Sequence, residues 1–207
     1  MTTIVAIRHG ETTWNREELM QGWAPTRLTE SGREQAHELG AVLVDEYEID
    51  RVLASDLHRT REMTELLLEH LDAPVTFESA WREHDIGMYQ GLPVDEMFER
   101  FPEYVLGEVG SKAASEKPDS GERLVDVRER VVGRWEVLLS ECDPEETILI
   151  VIHGGPIRLL LGHVKELEIV DAIVEQPQAN GSINEFHYDP ATGETAVVRE
   201  NDTEHHR

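Results

Sequence analysis

The chain has little cysteine and no long apolar run, and each of these absences excludes a class of protein or site. Its 207 residues include one cysteine, Cys142, which excludes a disulfide within the chain and a metal site built from cysteines. No apolar run approaches the roughly 18 residues that a membrane span requires. The N-terminus lacks the basic and then apolar segments of a signal peptide. We therefore expect a soluble cytoplasmic protein that has no membrane partner.

Positive charge is also scarce. The sequence has 19 Lys and Arg against 43 Asp and Glu, a formal net charge of −24 at pH 7, and its lysines are Lys112, Lys117 and Lys165. The acids are spread along the chain, which predicts an acidic folded surface rather than a charged tail. Such a surface repels nucleic acid, so we exclude DNA and RNA as partners. We interpret it as an adaptation to high salt, the alternative being an ordinary acidic mesophilic protein.

Strand and helix patterns alternate along the chain. Short strands are predicted at residues 3–7, 51–54, 75–77, 146–152, 183–188 and 195–199, and the main helices follow residues 29–31, 55–56, 93, 123 and 155. Thr29 or Ser31 is the predicted N-cap of the first helix, and Asp56 caps the second. The alternation predicts an α/β fold, a three-layer α/β/α sandwich with a mostly parallel central sheet. We expect one domain over residues 1–200, with a small insertion at about 88–120 as a lid over the active site, and a frayed tail at 201–207 that includes His205-His206.

Two of the predicted strands end alike, in a histidine followed by glycine. Arg8-His9-Gly10-Glu11 follows the first strand, and His153-Gly154-Gly155 follows the strand at 146–152, where Pro156 opens a helix. Ligands of open α/β sheets bind outside the carboxyl ends of the strands, and helix N-termini attract anions. If the two strands are neighbours, His9 and His153 converge on one anion-binding pocket. The alternative is two unrelated histidines that end buried strands.

The residues around these strand ends suit phosphoryl transfer, which needs positioning and charge neutralisation. Arg8 precedes His9, and Arg59 lies one turn into the helix after the second strand, where its planar guanidinium fits phosphate. Glu83 is a candidate general acid for the leaving alkoxide, and His153 is a further donor. The sequence has no Walker-type loop, zinc triad or Asp-rich magnesium motif. We therefore expect neither a metal nor a cofactor.

The chain resembles the histidine phosphatase superfamily, which includes cofactor-dependent phosphoglycerate mutase. The resemblance runs from residue 4 to about 186 and rests on Arg8-His9-Gly10-Glu11-Thr12 with Trp14-Asn15, Leu28-Thr29 through Gly32 with Gln35-Ala36, Ser55-Asp56-Leu57 with Arg59, Glu83 with Gly87 and Gly91, Gly121-Glu122, and His153-Gly154-Gly155. It implies that His9 becomes phosphorylated and that a water hydrolyses the phosphohistidine. It implies that Glu83 donates the proton, and that the phosphate is held by Arg8, Arg59 and His153 with help from Asn15. It also implies substrate contacts by Gln21, Gly22 and Gly154.

The insertion distinguishes a phosphatase from a mutase. Mutases of this family tend to be longer and carry an Arg-Arg pair there to bind a second phosphate, whereas residues 88–120 contain only Arg100, Lys112 and Lys117 as bases. Tyr89-Gln90-Gly91-Leu92 resembles the phosphatase branch. We therefore predict a metal-independent phosphomonoester hydrolase acting through a phosphohistidine on a small phosphorylated metabolite, and a phosphoglycerate mutase or a non-catalytic phospho-ligand-binding protein is the alternative. Candidates for the leaving-group pocket are Trp14, Gln21, Trp23, Met88 and Tyr89, although packing is the simpler role for each.

Overall fold

The structure, a computed structural model that describes residues 1–205, has one six-stranded central sheet. Its strands are β1 (Thr2–Arg8), β2 (Arg51–Ser55), β3 (Val75–Glu78), β4 (Thr147–Ile152), β5 (Ile183–Asp189) and β6 (Glu194–Asp202). They lie in the order β3-β2-β4-β1-β5-β6. The first four strands by number pair in parallel, whereas β5 pairs antiparallel with both β1 and β6. The predicted α/β class with a mostly parallel sheet is confirmed.

Helices pack on both faces of the sheet. They are α1 (Thr13–Arg16), α2 (Glu30–Glu46), α3 (His58–Leu67), α4 (Val94–Arg100), α5 (Leu106–Val109), α6 (Ser111–Ser115), α7 (Leu124–Glu141), α8 (Gly154–Val164) and α9 (Ile169–Val174). Val5 and Ile7 of β1 pack on one face with α2 and α3, while Ile4 and Ala6 pack on the other face with α7 and α8. Side chains of a strand alternate between faces, so a strand buried on both sides reads as an uninterrupted apolar run. No helix in the part of the chain that the structure describes is long and apolar enough to span a membrane.

The strand order brings the two histidine motifs together. β1 and β4 are parallel neighbours with Arg8 beside Ile152, and the backbone N–H of His9 donates to the Ile152 carbonyl at 3.1 Å. His9 and His153 therefore follow adjacent strands at one edge of the sheet. β2 pairs with the other side of β4, so Ser55 ends at the same edge. The hypothesis that the two strands are neighbours is confirmed.

Of the two predicted helix caps, Thr29 is confirmed and Asp56 is wrong. Thr29 caps α2, because its Oγ1 accepts from the Gly32 N–H at 3.0 Å. Asp56 does not cap α3, which begins at His58 without a side-chain cap. The Asp56 carboxylate instead accepts two hydrogen bonds from Arg82, at 2.6 and 2.7 Å. A two-fold charge-assisted pair is stronger than one backbone contact, which explains why the prediction for Asp56 was wrong.

The prediction of a frayed tail from residue 201 is wrong for the residues that the structure describes. β6 continues through Asp202, and Asn201 is fixed in it by two hydrogen bonds. Its N–H donates to Oδ1 of the buried Asn184 at 2.9 Å, and its side-chain oxygen accepts from the Ala179 N–H at 2.6 Å. These partners lie 17 and 22 residues from Asn201, too far for the local sequence pattern to predict the contacts. His206 and Arg207, the end of the predicted tail, lie outside the described residues.

The predicted insertion lies between β3 and α7. It holds the short helices α4, α5 and α6, with Met97, Ala113 and Ala114 buried. Helices α5 and α6 are too short to show a helical period in the sequence, and the same holds for α1 and α9. That the insertion acts as a lid stays a prediction.

Candidate active site

His9 is buried at the end of β1, and its two ring nitrogens have different partners. Nδ1 donates to the Gly10 carbonyl at 2.8 Å, and Nε2 accepts from Nε of Arg59 at 3.1 Å. Burial, with a smaller effect from the charges of Arg59 and Arg8, holds the pKa of His9 well below its usual 6.5. The imidazole is therefore neutral at pH 7, and the only lone pair of its ring nitrogens is at Nε2. A neutral imidazole can act as a nucleophile through this lone pair once Arg59 releases it.

Arg59 and Arg8 place two positive charges beside His9. Arg59 is 1% exposed, and its terminal nitrogens donate to the backbone carbonyls of Gly22 at 2.9 Å and Ala24 at 3.3 Å. Arg8 donates to the Gln178 carbonyl at 2.5 Å, and its buried Nε has no partner among the described residues. Burial is the main cause that lowers the pKa of each arginine to about 10, so both remain charged at pH 7. Two cations, one buried and one half-buried, whose hydrogen bonds go chiefly to carbonyls attract an anion.

His153 is fully buried, and its ring lies 5.2 Å from that of His9, tilted by 65°. Its Nε2 lies 2.8 Å from Oγ of Ser55, and Nδ1 is buried without a partner among the described residues. Burial is the largest cause that holds the pKa of His153 well below 6.5, followed by the charge of Arg59. The ring is therefore neutral. A buried ring nitrogen without a partner is costly unless a ligand supplies one.

Glu83 faces this cluster from the segment before the insertion. One carboxylate oxygen accepts from the Gly155 N–H at 3.1 Å and the other from the His84 N–H at 2.9 Å. The Glu83 carbonyl accepts from the Trp23 indole at 2.7 Å. A Cβ at position 155 would lie 2.1 Å from Glu83 Oε1, so any other residue there would displace the carboxylate. The start of α8 thus positions the carboxylate through its backbone.

The four residues predicted to contact substrate lie in two places: two line a cavity, and two lie beside the charged cluster. Gln21 and Gly22 line a cavity beside Glu83, and Gly22 also holds Arg59 through its carbonyl. Gly154 begins α8, where a Cβ would lie 3.4 Å from Nε of Arg8. Asn15 lies beside the site: its Oδ1 accepts from Nδ2 of Asn180 at 3.2 Å, and the same Nδ2 lies 3.0 Å from the His9 carbonyl.

The cavity has a volume of about 400 Å³ and opens onto the cluster between Arg8 and Glu83. Of the five pocket candidates from the sequence, Gln21 alone lines it. Trp23 is turned toward the Glu83 carbonyl, Met88 is 61% exposed, and Tyr89 is buried against the Phe101 ring. Trp14 is the residue that a Cβ at Gly91 would contact. Packing, the simpler reading, is therefore the better account of these aromatic residues.

Sequence reasoning missed two residues of the site. Ser55 was assigned to a helix start, although its position at the end of β2 places it at the same sheet edge as the histidines. Arg158 lines the cavity and follows Gly155 by three residues on α8, a spacing that puts both on one helix face. Within residues 1–205 no group of three or more His, Cys, Asp or Glu side chains is arranged to hold a metal ion.

Known proteins resemble this chain over most of its length. A family model, histidine phosphatase superfamily (branch 1), matches residues 4–203. The uncharacterized phosphatase PhoE of Bacillus subtilis is 29% identical over 164 residues, which cover 79% of this chain and 78% of PhoE. A 2,3-bisphosphoglycerate-dependent phosphoglycerate mutase of Bartonella quintana is 30% identical over 182 residues, 84% of this chain and 86% of the mutase. The structure of YhfR from Bacillus stearothermophilus is similar over 99% of both chains, with a TM-score of 0.88 and 29% identity.

These relatives are phosphatases and phosphoglycerate mutases, and the match spans nearly the whole chain. The chain belongs to the histidine phosphatase superfamily, branch 1, and is an enzyme of its phosphatase and phosphoglycerate mutase type.

Proposed function

We propose that this protein is a phosphomonoester hydrolase that works through a phosphohistidine at His9. The observation that carries the proposal is the orientation of the His9 ring. Its Nδ1–H is committed to the Gly10 carbonyl, which leaves the Nε2 lone pair between two cations. A phosphorus atom bound by Arg8 and Arg59 would lie in front of a neutral, correctly oriented nucleophile.

The first step transfers the phosphoryl group to the enzyme. The substrate's phosphate oxygens accept from Arg8 and Arg59, and the Nε–H of Arg59 turns from His9 to the phosphate. This exchange frees Nε2, which forms a bond to phosphorus as the ester P–O bond breaks. The leaving oxygen takes a proton from Glu83, which becomes a carboxylate held by the N–H groups of Gly155 and His84.

The second step returns the enzyme to its starting state. A water gives a proton to the Glu83 carboxylate and attacks phosphorus. The P–N bond breaks, its electron pair returns to Nε2 of His9, and inorganic phosphate leaves. Glu83 is protonated again, so one group serves as acid and then as base.

His153 is the proposed donor to the phosphoryl oxygens, and Ser55 is the residue that orients it. The Ser55 hydroxyl oxygen lies 3.4 Å from the Leu57 N–H that donates to it, which directs the hydroxyl proton toward Nε2 of His153. The ring proton of His153 then resides on Nδ1, the nitrogen that has no partner among residues 1–205. Such a preformed donor stabilises charge that develops on the transferring group.

The charge of the cavity favours a phosphatase over a mutase. A mutase needs a second phosphate site beside the first, and the insertion supplies no cation to the cavity wall as the structure describes it. Its contribution is apolar, from residues such as Met97 and Phe98. The small phosphorylated substrate would thus be bound by charge at its phosphate and mainly by apolar contact along the side of the cavity that the insertion forms.

The test is hydrolysis of a generic aryl phosphate in buffer with EDTA, with wild type, His9→Ala and His37→Ala compared. His37 is an exposed histidine on α2, so its variant controls for the loss of an imidazole alone. We expect turnover that survives EDTA, is kept in His37→Ala and is lost in His9→Ala. Phosphate release that persists in His9→Ala would overturn the nucleophile, and interconversion of phosphoglycerates primed by 2,3-bisphosphoglycerate at a rate above hydrolysis would favour the mutase.

A further inference from the structure

The cavity beside Glu83 has a wall that is apolar over most of its area. The apolar side chains come from the insertion and from the helices that follow it, chiefly Met97, Phe98, Leu106, Leu124, Val127 and Ile173. Its volume of about 400 Å³ is within the range of about 300–1,000 Å³ for small-molecule sites. Hydroxyl groups of a sugar would lose their hydrogen bonds to water against such a wall, whereas a ring or branched alkyl group would be stabilised there.

One cation in this wall has no anionic partner. Arg158 donates from Nε to the Gln176 carbonyl at 2.8 Å, and no carboxylate of the described residues lies within 4.0 Å of it. Two arginines of α7 differ in this respect, because Arg130 pairs with Glu122 and Arg134 with Glu78. Arg8 and Arg59 of the phosphate site likewise have no carboxylate within 4.0 Å among the described residues, so Arg158 adds a third cation without an anion beside the same site.

Arg158 belongs to the same electrostatic environment as the phosphate site. Its charge is one of the causes that lower the pKa of Arg8, although burial of Arg8 is the larger cause. It lines the cavity together with Arg8 and Glu83, on the same helix as Gly155. A ligand whose phosphate lies at Arg8 can therefore extend along the apolar wall toward Arg158.

We propose that the leaving group of the substrate is an apolar body that carries one carboxylate, and that Arg158 binds this carboxylate. The proposal rests on the phosphatase reaction proposed above. The Nε of Arg158 is used by Gln176, so its two terminal nitrogens remain, and their paired N–H groups match the two oxygens of a carboxylate. A second phosphate dianion would carry two negative charges there, and Arg158 could neutralise only one of them. The substrate class is thus the phosphate ester of an aromatic or branched hydroxy acid.

The test uses substrates that differ in the carboxylate alone, 4-carboxyphenyl phosphate and 4-methylphenyl phosphate, with wild type, Arg158→Met, Arg158→Lys and Arg128→Met. Arg128 lies on α7, does not line the cavity, and removes the same surface charge when replaced. In wild type we expect kcat/KM to favour the carboxylate. Arg158→Met should lower it for that substrate by about 10- to 100-fold, mostly through KM, and for the methyl substrate by less than about threefold. Arg158→Lys should lie between, and Arg128→Met should match wild type.

Two results would overturn the assignment: equal change of both substrates in Arg158→Met, or a stronger preference of wild type for 1,4-phenylene bisphosphate than for the carboxylate. Failure of the phosphatase reaction is measured apart from this. Binding of both substrates to His9→Ala and to His9→Ala/Arg158→Met by calorimetry needs no turnover. An Arg158-dependent preference there supports the carboxylate site even if wild type proves inactive, and its absence in an active enzyme rejects the site but keeps the phosphatase.

Discussion

The two histidines at the sheet edge have the same sequence setting and opposite hydrogen bonding. Each follows a buried parallel strand and precedes a glycine, and each is neutral because burial lowers its pKa. His9 uses Nδ1 for the carbonyl of the next residue and presents Nε2. His153 uses Nε2 for Ser55 on a neighbouring strand and presents Nδ1.

The difference shows that the partner of the second ring nitrogen decides what a histidine can do. A carbonyl accepts only, so it fixes a proton on Nδ1 of His9 and leaves Nε2 as a lone pair. A hydroxyl also donates, so Ser55 can leave the His153 proton on the nitrogen that faces the ligand. This difference is why we propose the same side chain as a nucleophile in one place and as a donor in the other.

The largest expected effect comes from removing each ring in turn. His9→Ala should lower kcat by about 10⁴-fold or more and form no phosphoenzyme, because the nucleophile is gone. His153→Ala should still form the phosphoenzyme, about 10²- to 10³-fold more slowly, because one donor to the phosphoryl oxygens is lost. Rapid quench with ³²P-labelled substrate under alkaline conditions measures both. If the ³²P-labelled phosphoenzyme still forms in His9→Ala and does not form in His153→Ala, then His153 is the nucleophile and His9 the donor.

Removing the Ser55 hydroxyl should weaken the donor and leave the nucleophile intact. Ser55→Ala should lower kcat by about tenfold, while Ser55→Thr, which keeps the hydroxyl, should retain most activity. The imidazole ¹⁵N shifts of His153 supply a readout that packing alone would not move. We expect a proton on Nδ1 in wild type and a shift of population toward Nε2 in Ser55→Ala. An unchanged tautomer in Ser55→Ala would remove Ser55 from the mechanism.

Both rings should also make stability depend on pH in the same direction. Folding lowers both pKa values below 6.5, so the unfolded chain binds protons that the folded chain does not. The free energy of unfolding should therefore fall as the pH drops below about 6.5, by up to about 1.4 kcal/mol per pH unit for each histidine. Urea unfolding between pH 7 and pH 5 should give a shallower slope for His153→Gln than for wild type. Equal slopes would mean that His153 does not resist protonation.

Salt should have the smallest effect and should not distinguish the two histidines. A net charge of −24 repels a phosphate dianion at low ionic strength, so KM should fall a few-fold from dilute buffer to molar KCl. The fall should be equal in wild type and in Ser55→Ala, because the field of the surface acts on the whole site. A KM that rises while the fold stays intact would contradict it.

A melting temperature that does not rise over the same range would reject the adaptation to high salt.

The parts of this protein that were predictable are local in the chain. The apolar runs of β1 and β4, the cap Thr29 and the residues Arg8 and His9 depend on neighbours within a few positions. Even the contact that orients His9 is to the next residue. Because β1 and β4 are buried on both faces of the sheet, each is a continuous apolar run that the sequence shows directly.

What the sequence by itself determined is therefore the α/β fold, the family and the two histidine motifs that meet at the sheet edge, whereas Ser55 and Arg158 were missed. Only the tertiary structure decided how they are oriented. Ser55 lies 98 residues from His153, Asp56 lies 26 from Arg82, and Asn184 lies 17 from Asn201. That no carboxylate of the described residues lies within 4.0 Å of Arg158 also became known only from the structure. Such contacts depend on strand register and side-chain rotamers, which are set only when distant segments pack together, because a polar group takes the partner that folding brings within reach.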